Sequence, residues 1–418
     1  MPIKIHSAES DFRKLPGRES AGKTRCTSYA LAFALIPFLA MHIPAQAQTY
    51  SDKVLYSFSG GVDGNEPLFS GVVQDKAGNF YGTTYAGGAF NYGTVFKVDV
   101  SGKETVLHSF GERRDGRTPI AAVLIDPTGR LFGTTNQGGG IRNPQCTKGC
   151  GIVFGIEPNG DERVLHAFSG GADGGLPVGS LIRDSSGNLY GTTQIGGAFG
   201  FGTIFKVDAS GAETVLYSFA GQPDAQDPEA GLIRDEASNF YGTTSAGGVY
   251  NYGAVYELNA SGQETVLHSF AGSFYSDGQA PDTTLFRAAN GDLYGTTYLG
   301  GTEGIGTVFK LDASGNETIL HSFGDAENDG AYAESPLASD ANGNLYGTTI
   351  QGGTAGIPGG IIFKISAQGE YSIICNFTGT PDGSGPAGPL LPASDGRLFG
   401  TTSSGGASGP GTVYELIP

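Results

Sequence analysis

The 418-residue chain has no tryptophan, two methionines and four cysteines, and only 16% of its residues are charged. Each shortage excludes something. Lys and Arg number 24 against 41 Asp and Glu, for a net charge of −17, so the basic footprint that nucleic acid or an anionic membrane surface demands is missing. No C-x-x-C and no histidine pair supplies a local zinc motif. The 71 glycines follow no strict Gly-X-Y period, which excludes collagen. Aromatics at 11% and hydrophobics at 38% leave ample surface to bury, which excludes a disordered chain. Gly, Thr, Tyr and Phe are plentiful and suit strands and turns, so the expected class is all-β.

The start of the chain reads as an export signal. Lys4, Arg13, Lys14, Arg18, Lys23 and Arg25 precede an apolar run, Tyr29–Ile43, and Ala45-Gln46-Ala47 gives an A-x-A cleavage site. The run falls short of the ~20 residues of a membrane span, and nothing later approaches one. Residues 1–47 are therefore expected to be a signal peptide, leaving 48–418 as one domain, secreted, periplasmic or at the cell surface. Cleavage takes away six Lys/Arg and three Asp/Glu and leaves a net charge of about −20. Cys146 and Cys150 lie in a Gly-rich loop of this exported chain and are expected to form a disulfide. Cys375 occupies a core-strand position and reads as a buried thiol.

An internal repeat dominates what remains. Phe58, Phe110, Phe168, Phe219, Phe270, Phe323 and Phe377 each end a segment like V-L-H-S-F, at spacings of 51 to 58 residues. Gly82, Gly133, Gly191, Gly242, Gly295, Gly347 and Gly400 each open a Gly-Thr-Thr, with spacings in the same range. Such periods signal a propeller, solenoid or array. Within one unit, 231–235, 239–244, 253–259 and 264–270 read as four short strands joined by Gly- and Asn-rich turns. The expectation is a seven-bladed β-propeller with four-stranded antiparallel blades. The first piece, 53–58, matches a fourth strand and the last, 411–417, a third, so the N-terminal strand should complete the last blade and close the ring.

The pattern in Phe80–Gly88, Gly93–Lys97 and Glu104–Phe110 resembles the GloVer tandem repeat of exported bacterial proteins, across about residues 53–418. The resemblance implies export and propeller-like repeats, and it brings no activity with it. Members often carry a C-terminal sorting anchor. None follows Gly411–Ile417 here, so free secretion or non-covalent surface association is expected. The Gly-Gly after the second strand is also similar to kelch propellers, but their Trp is missing.

A residue present in every unit serves the fold, and a single site should break the repeat. The histidines His108, His166, His268 and His321 share one slot with Tyr56, Tyr217 and Cys375 on the outermost strand. They are spread around the rim and cannot converge, so histidine triads and histidine-ligated metals are not expected. Asp63, Asp115, Asp173, Asp224, Asp277, Asp329 and Asp382 recur in the interblade loop and read as turn residues. A ring of carboxylates holding Ca²⁺ is the other reading of them. Asp75, Asp126, Asp184, Asp235, Asp340 and Asp395 close the first strands and read as turn residues as well.

The loop after the second strand does break the repeat. It carries paired aromatics, Phe90 and Tyr92, Phe199 and Phe201, Tyr250 and Tyr252, suited to stacking on sugar rings or on a protein. In the second unit it carries the Cys-bearing insert with Arg142, which joins Arg113, Arg114 and Arg117 in a rare basic patch. The leading expectation is a non-catalytic, monomeric binding or scaffold module for an extracellular polysaccharide or surface protein, using these residues and no cofactor. The other reading is a secreted carbohydrate-active hydrolase or lyase with paired carboxylates in the channel.

Overall fold

A computed structural model describes residues 50–111, 114–354 and 359–418. The expected signal peptide, 1–47, and Arg113 lie outside the described residues. Seven four-stranded antiparallel sheets follow one another in chain order. They form a seven-bladed β-propeller whose blades begin at Val73, Leu124, Ile182, Ile233, Phe286, Ala338 and Leu391. The one helical turn among the described residues is a 3₁₀ segment, Ser273–Tyr275.

Blade 4 shows how sequence sets the unit. Its strands are Ile233–Arg234, Phe240–Thr244, Ala254–Leu258 and Glu264–Ser269. The third strand is buried almost throughout, because both of its faces meet other blades. Its aromatic residue, Tyr256, fits only because Gly242 opposes it: a Cβ on that glycine would stand 2.4 Å from the Tyr256 hydroxyl. The same glycine makes room for Phe96, Phe154, Phe205, Phe309, Phe363 and Tyr414 in the other blades. Each of these rings meets, edge to face at 5.0–5.4 Å, the phenylalanine that ends the preceding blade's fourth strand. Phe58 on Phe96 and Phe270 on Phe309 are two of these pairs. Such contacts are worth about 0.5–1.5 kcal/mol each beyond the area they bury. The Gly-Thr-Thr and V-L-H-S-F signatures are thus two halves of one joint between blades.

The ring closes as the repeat implies. Ser51–Ser57 pairs antiparallel with Thr412–Ile417 and supplies the outer strand of blade 7. Two features have no counterpart in the sequence reading. Every fourth strand carries a β-bulge, in blade 4 between the pairs Val255–His268 and Tyr256–Val266, so that Leu267 is the extra residue. The interblade loop also zips onto the loop after the second strand. Gly116–Arg117 with Gln137–Gly138, and Gly278–Gln279 with Leu299–Gly300, are short ribbons of this collar.

Candidate functional site

At the inner edge, each interblade segment makes the same turn. Glu66, Thr118, Leu176, Asp227, Ala280 and Tyr332 all hold left-handed φ of 51–59°, and Gly385 takes the seventh position. Each N–H donates to a carbonyl of the preceding blade's loop, as Asp227 does to Phe201 and Tyr332 to Ile305. Each carbonyl accepts from the residue after the next second strand, as Asp227 does from Ser245. Left-handed φ costs a non-glycine residue of order 1 kcal/mol or more, and these two bonds hold it in place. Proline follows in six of the seven segments, with Ala333 in the other. The turn aims the next side chain at the channel.

That next position holds Leu68, Ile120, Val178, Glu229, Asp282, Glu334 and Ala387. Three acids therefore stand in consecutive blades where the other four copies are apolar. Glu229, Asp282 and Glu334 line a cavity of about 110 Å³ together with Phe69, Val178 and Thr284. Glu334 and Phe69 also border an adjoining cavity of about 260 Å³. The waist below is narrow, because small residues of neighbouring blades touch: a Cβ on Gly179 would stand 2.5 Å from Ala230, and one on Gly71 2.6 Å from the Pro389 carbonyl.

Burial and mutual repulsion dominate the electrostatics. Burial, then the charge of Asp227, pushes Glu229 up to about 7, although Gln194 Nε2 donates to it at 2.5 Å. Burial, then the charge of Glu229, pushes Glu334 up to about 7. Burial and the charges of Glu334 and Glu229 raise Asp282 well above the carboxylate range, and its Oδ1 is buried without a hydrogen-bond partner. Tyr298 and Tyr332 pack ring to ring at 5.0 Å beside the group, and the Tyr298 phenol is raised by burial and by Glu334. Near neutral pH the trio therefore holds both protonated and ionised carboxyls, which can donate and accept hydrogen bonds side by side.

The aromatic loops lie on the same face, farther out. Phe90, Phe199, Phe201, Tyr250 and Tyr252 are exposed, while Tyr92 is half-buried under Arg117, whose guanidinium carbon lies 3.9 Å from the ring centroid. Phe201 and Tyr252 lean on the next interblade loop, so close that a Cβ on Gly221 or Gly272 would stand 2.9 and 3.1 Å from their rings. Arg114 and Arg142 are exposed, and Arg117 is held on Tyr92 instead of projecting beside them. Cys146 and Cys150 are disulfide-bonded with Cα atoms 5.0 Å apart, and Cys375 is a buried thiol. Asp75 accepts from the backbone of Ala77 and Asn79 and from the Asn79 and Tyr81 side chains. Burial works against its charge, and these four bonds outweigh that and hold its carboxyl below the usual range. It serves its turn and is no part of the channel site.

At the outer rim, each interblade Asp is held by backbone N–H groups and faces the histidine or tyrosine slot. Tyr56 and Tyr217 donate to Asp63 and Asp224 at 2.8 and 2.9 Å, and His108 and His321 meet Asp115 and Asp329 at 3.2 and 2.8 Å. The slot thus selects hydrogen-bonding reach as well as size. The first residue of the next blade's fourth strand completes each cluster. It is Glu104, Glu162, Glu213, Glu264 or Glu317, with Asp52 beside Asp382 and Tyr371 bonded to Asp329. The histidines stay apart from one another, as their slot implies, but three of them share a cluster with two carboxylates.

A family model of the Gloeobacter/Verrucomicrobia repeat matches residues 42–237 and 227–418. No curated protein matches. The fold is similar to the extracellular domain of a putative one-component system from B. thetaiotaomicron, at 10% identity and TM-score 0.52. That match covers 83% of this chain and 38% of the other, so the chain spans well under half its length. A gluconolactonase from Xanthomonas campestris matches at 16% identity and TM-score 0.41, over 64% of this chain and 78% of that one. A luciferin-regenerating enzyme matches at 14% identity and TM-score 0.43, over 85% and 92%. At such identities the likeness is one of fold.

Proposed function

The chain belongs to the Gloeobacter/Verrucomicrobia repeat family, and from the one place where its seven copies diverge in charge we propose that it is an exported propeller that binds a hydroxyl-rich, saccharide ligand at the channel mouth. The observation that carries this is the replacement of an apolar residue by Glu229, Asp282 and Glu334 in three consecutive blades. Carboxyls in both protonation states, with an amide at Gln194 and rings at Tyr298 and Tyr332, match the donors, acceptors and apolar faces of a sugar. The exposed aromatics on the same face offer stacking surface to a longer chain. The export signal expected at residues 1–47, the disulfide and the extracellular setting of the similar domain support a place outside the cytoplasm.

The test is retention of the purified protein on immobilised neutral polysaccharides, with product analysis of the eluate. Glu229→Gln with Asp282→Asn should abolish retention, and Phe90→Ala, Phe199→Ala and Tyr250→Ala together should weaken it. Retention that survives the channel variant and is lost in the aromatic one moves the site to the loops and overturns the proposal. One feature favours a catalytic variant of the same reading: burial and the charges of Glu334 and Glu229 raise the Asp282 carboxyl well above the carboxylate range, beside a Glu334 pushed up to about 7, the kind of paired carboxyls that general acid and base work uses. Released oligosaccharides that disappear in Asp282→Asn would establish it.

A further inference from the structure

We propose that two interblade joints at the outer rim bind divalent transition-metal ions of the zinc class, one on His268, Asp277 and Glu317 between blades 4 and 5, the other on His108, Asp115 and Glu162 between blades 1 and 2. In each trio, one nitrogen and two carboxylate oxygens lie within 4.8 Å of one another. Imidazole with carboxylates is a donor set for zinc-class ions, and two carboxylates balance a double charge.

The first trio is the better formed. His268 Nε2 stands 3.8 Å from Asp277 Oδ2 and 3.7 Å from Glu317 Oε2, too far for a hydrogen bond to either. His268 Nε2 is buried and has no hydrogen-bond partner; Glu317 Oε1 is likewise unpartnered, as are its counterparts on Glu104, Glu162, Glu213 and Glu264 in the other joints. Ligands about 2.0–2.1 Å from a tetrahedral zinc ion stand about 3.3–3.5 Å apart, so His268 has only a few tenths of an ångström to close on either carboxylate. Asp277 is already fixed by the N–H groups of Ala271 and Gly278, both at 2.6 Å. The side chains keep 13–19% of their surface exposed, which leaves the ion a route in from the rim and a position for water.

The joint between blades 5 and 6 provides an internal control. Tyr371 replaces the glutamate there, donates to Asp329 and stacks on His321 at 3.5 Å. With the third oxygen donor gone, His321 closes on Asp329 at 2.8 Å. Where the glutamate is present, the histidine sits farther from the Asp: His108 still bonds it at 3.2 Å, while His166 and His268 stand at 3.4 and 3.8 Å without a hydrogen bond.

The test is Zn²⁺ binding by the untagged purified chain, read as ions per chain after dialysis and as a calorimetric titration. Among the described residues the donor atoms of His166, Asp173 and Glu213 do not all fall within 4.8 Å of one another, so the expected count is two, falling to one in His268→Tyr and to none when His108→Tyr is added. Tyrosine occupies this slot natively at Tyr56 and Tyr217, where it bonds the same Asp, so these variants keep the joint. Glu229→Gln, Asp282→Asn and Glu334→Gln together should leave the count at two. An absence of binding at millimolar Zn²⁺, a count unmoved by the tyrosine variants, or a count abolished by the channel variants would each overturn the proposal.

Discussion

At the scale of single residues, two opposite kinds of position decide the molecule. Gly295 is a fold position: a Cβ there would stand 2.6 Å from Phe309 Cζ, in the joint between blades 4 and 5. Gly295→Ala should cost about 1–3 kcal/mol, measured as a lower midpoint in urea with unchanged slope. Asp282 is the opposite kind, held against its own solvation. Its raised folded-state value means that the folded chain keeps a proton the unfolded chain has lost, so its burden on stability grows as pH climbs above about 4. Asp282→Asn should therefore raise Tm by a few degrees at pH 8 and leave it nearly unchanged at pH 4, in thermal melts at the two pH values. The glycine was legible in the sequence because its physics is local and recurs seven times. The trio was not, since D-P-E, P-D-T and A-E-S look unrelated until the seven segments are aligned on the residue that follows the left-handed turn. The acids that drew attention instead, Asp75 and its equivalents, recur because each ties its own turn.

At the scale of strands, closure was readable from the orphan third and fourth strands at the chain ends, and Ser51–Ser57 does pair with Thr412–Ile417. Deleting through Phe58 should leave blade 7 with an open edge and expose the Phe96 ring that Phe58 covers. The expected result is loss of cooperative unfolding and aggregation, seen by light scattering. A truncated chain that stays monomeric and melts cooperatively would contradict this account of the ring. The bulge and the collar were not readable. A bulged Leu267 still alternates like any strand residue, and the collar ribbons are two residues long and built from glycines that carry no strand signal. Their causes are contacts between blades, which appear only once the ring has formed.

At the scale of the whole ring, the joints share a dependence on protons. Burial, then the charge of Asp63, pushes Glu104 up to about 7, and burial, then the charge of Asp224, pushes Glu264 up to about 8. Both values lie above those of an unfolded glutamate, so their contribution is complete below about pH 4.5 and is lost as pH rises toward 8. Tm measured in chelator should therefore fall from pH 5 to pH 8, and Glu104→Gln with Glu264→Gln should flatten that slope. The channel mouth shows what a ring of near-identical parts does with a few exceptions. Read around the circle, Leu68, Ile120 and Val178 form one arc, Glu229, Asp282 and Glu334 the next, and Ala387 rejoins the first. The mouth is thus two-toned, greasy on one half and proton-bearing on the other. On the proposed function, a saccharide seated in it has one compass bearing, its carbon-rich flank toward blades 1 to 3 and its hydroxyls toward blades 4 to 6. A pseudo-sevenfold rotor gains a fixed north without altering a single strand.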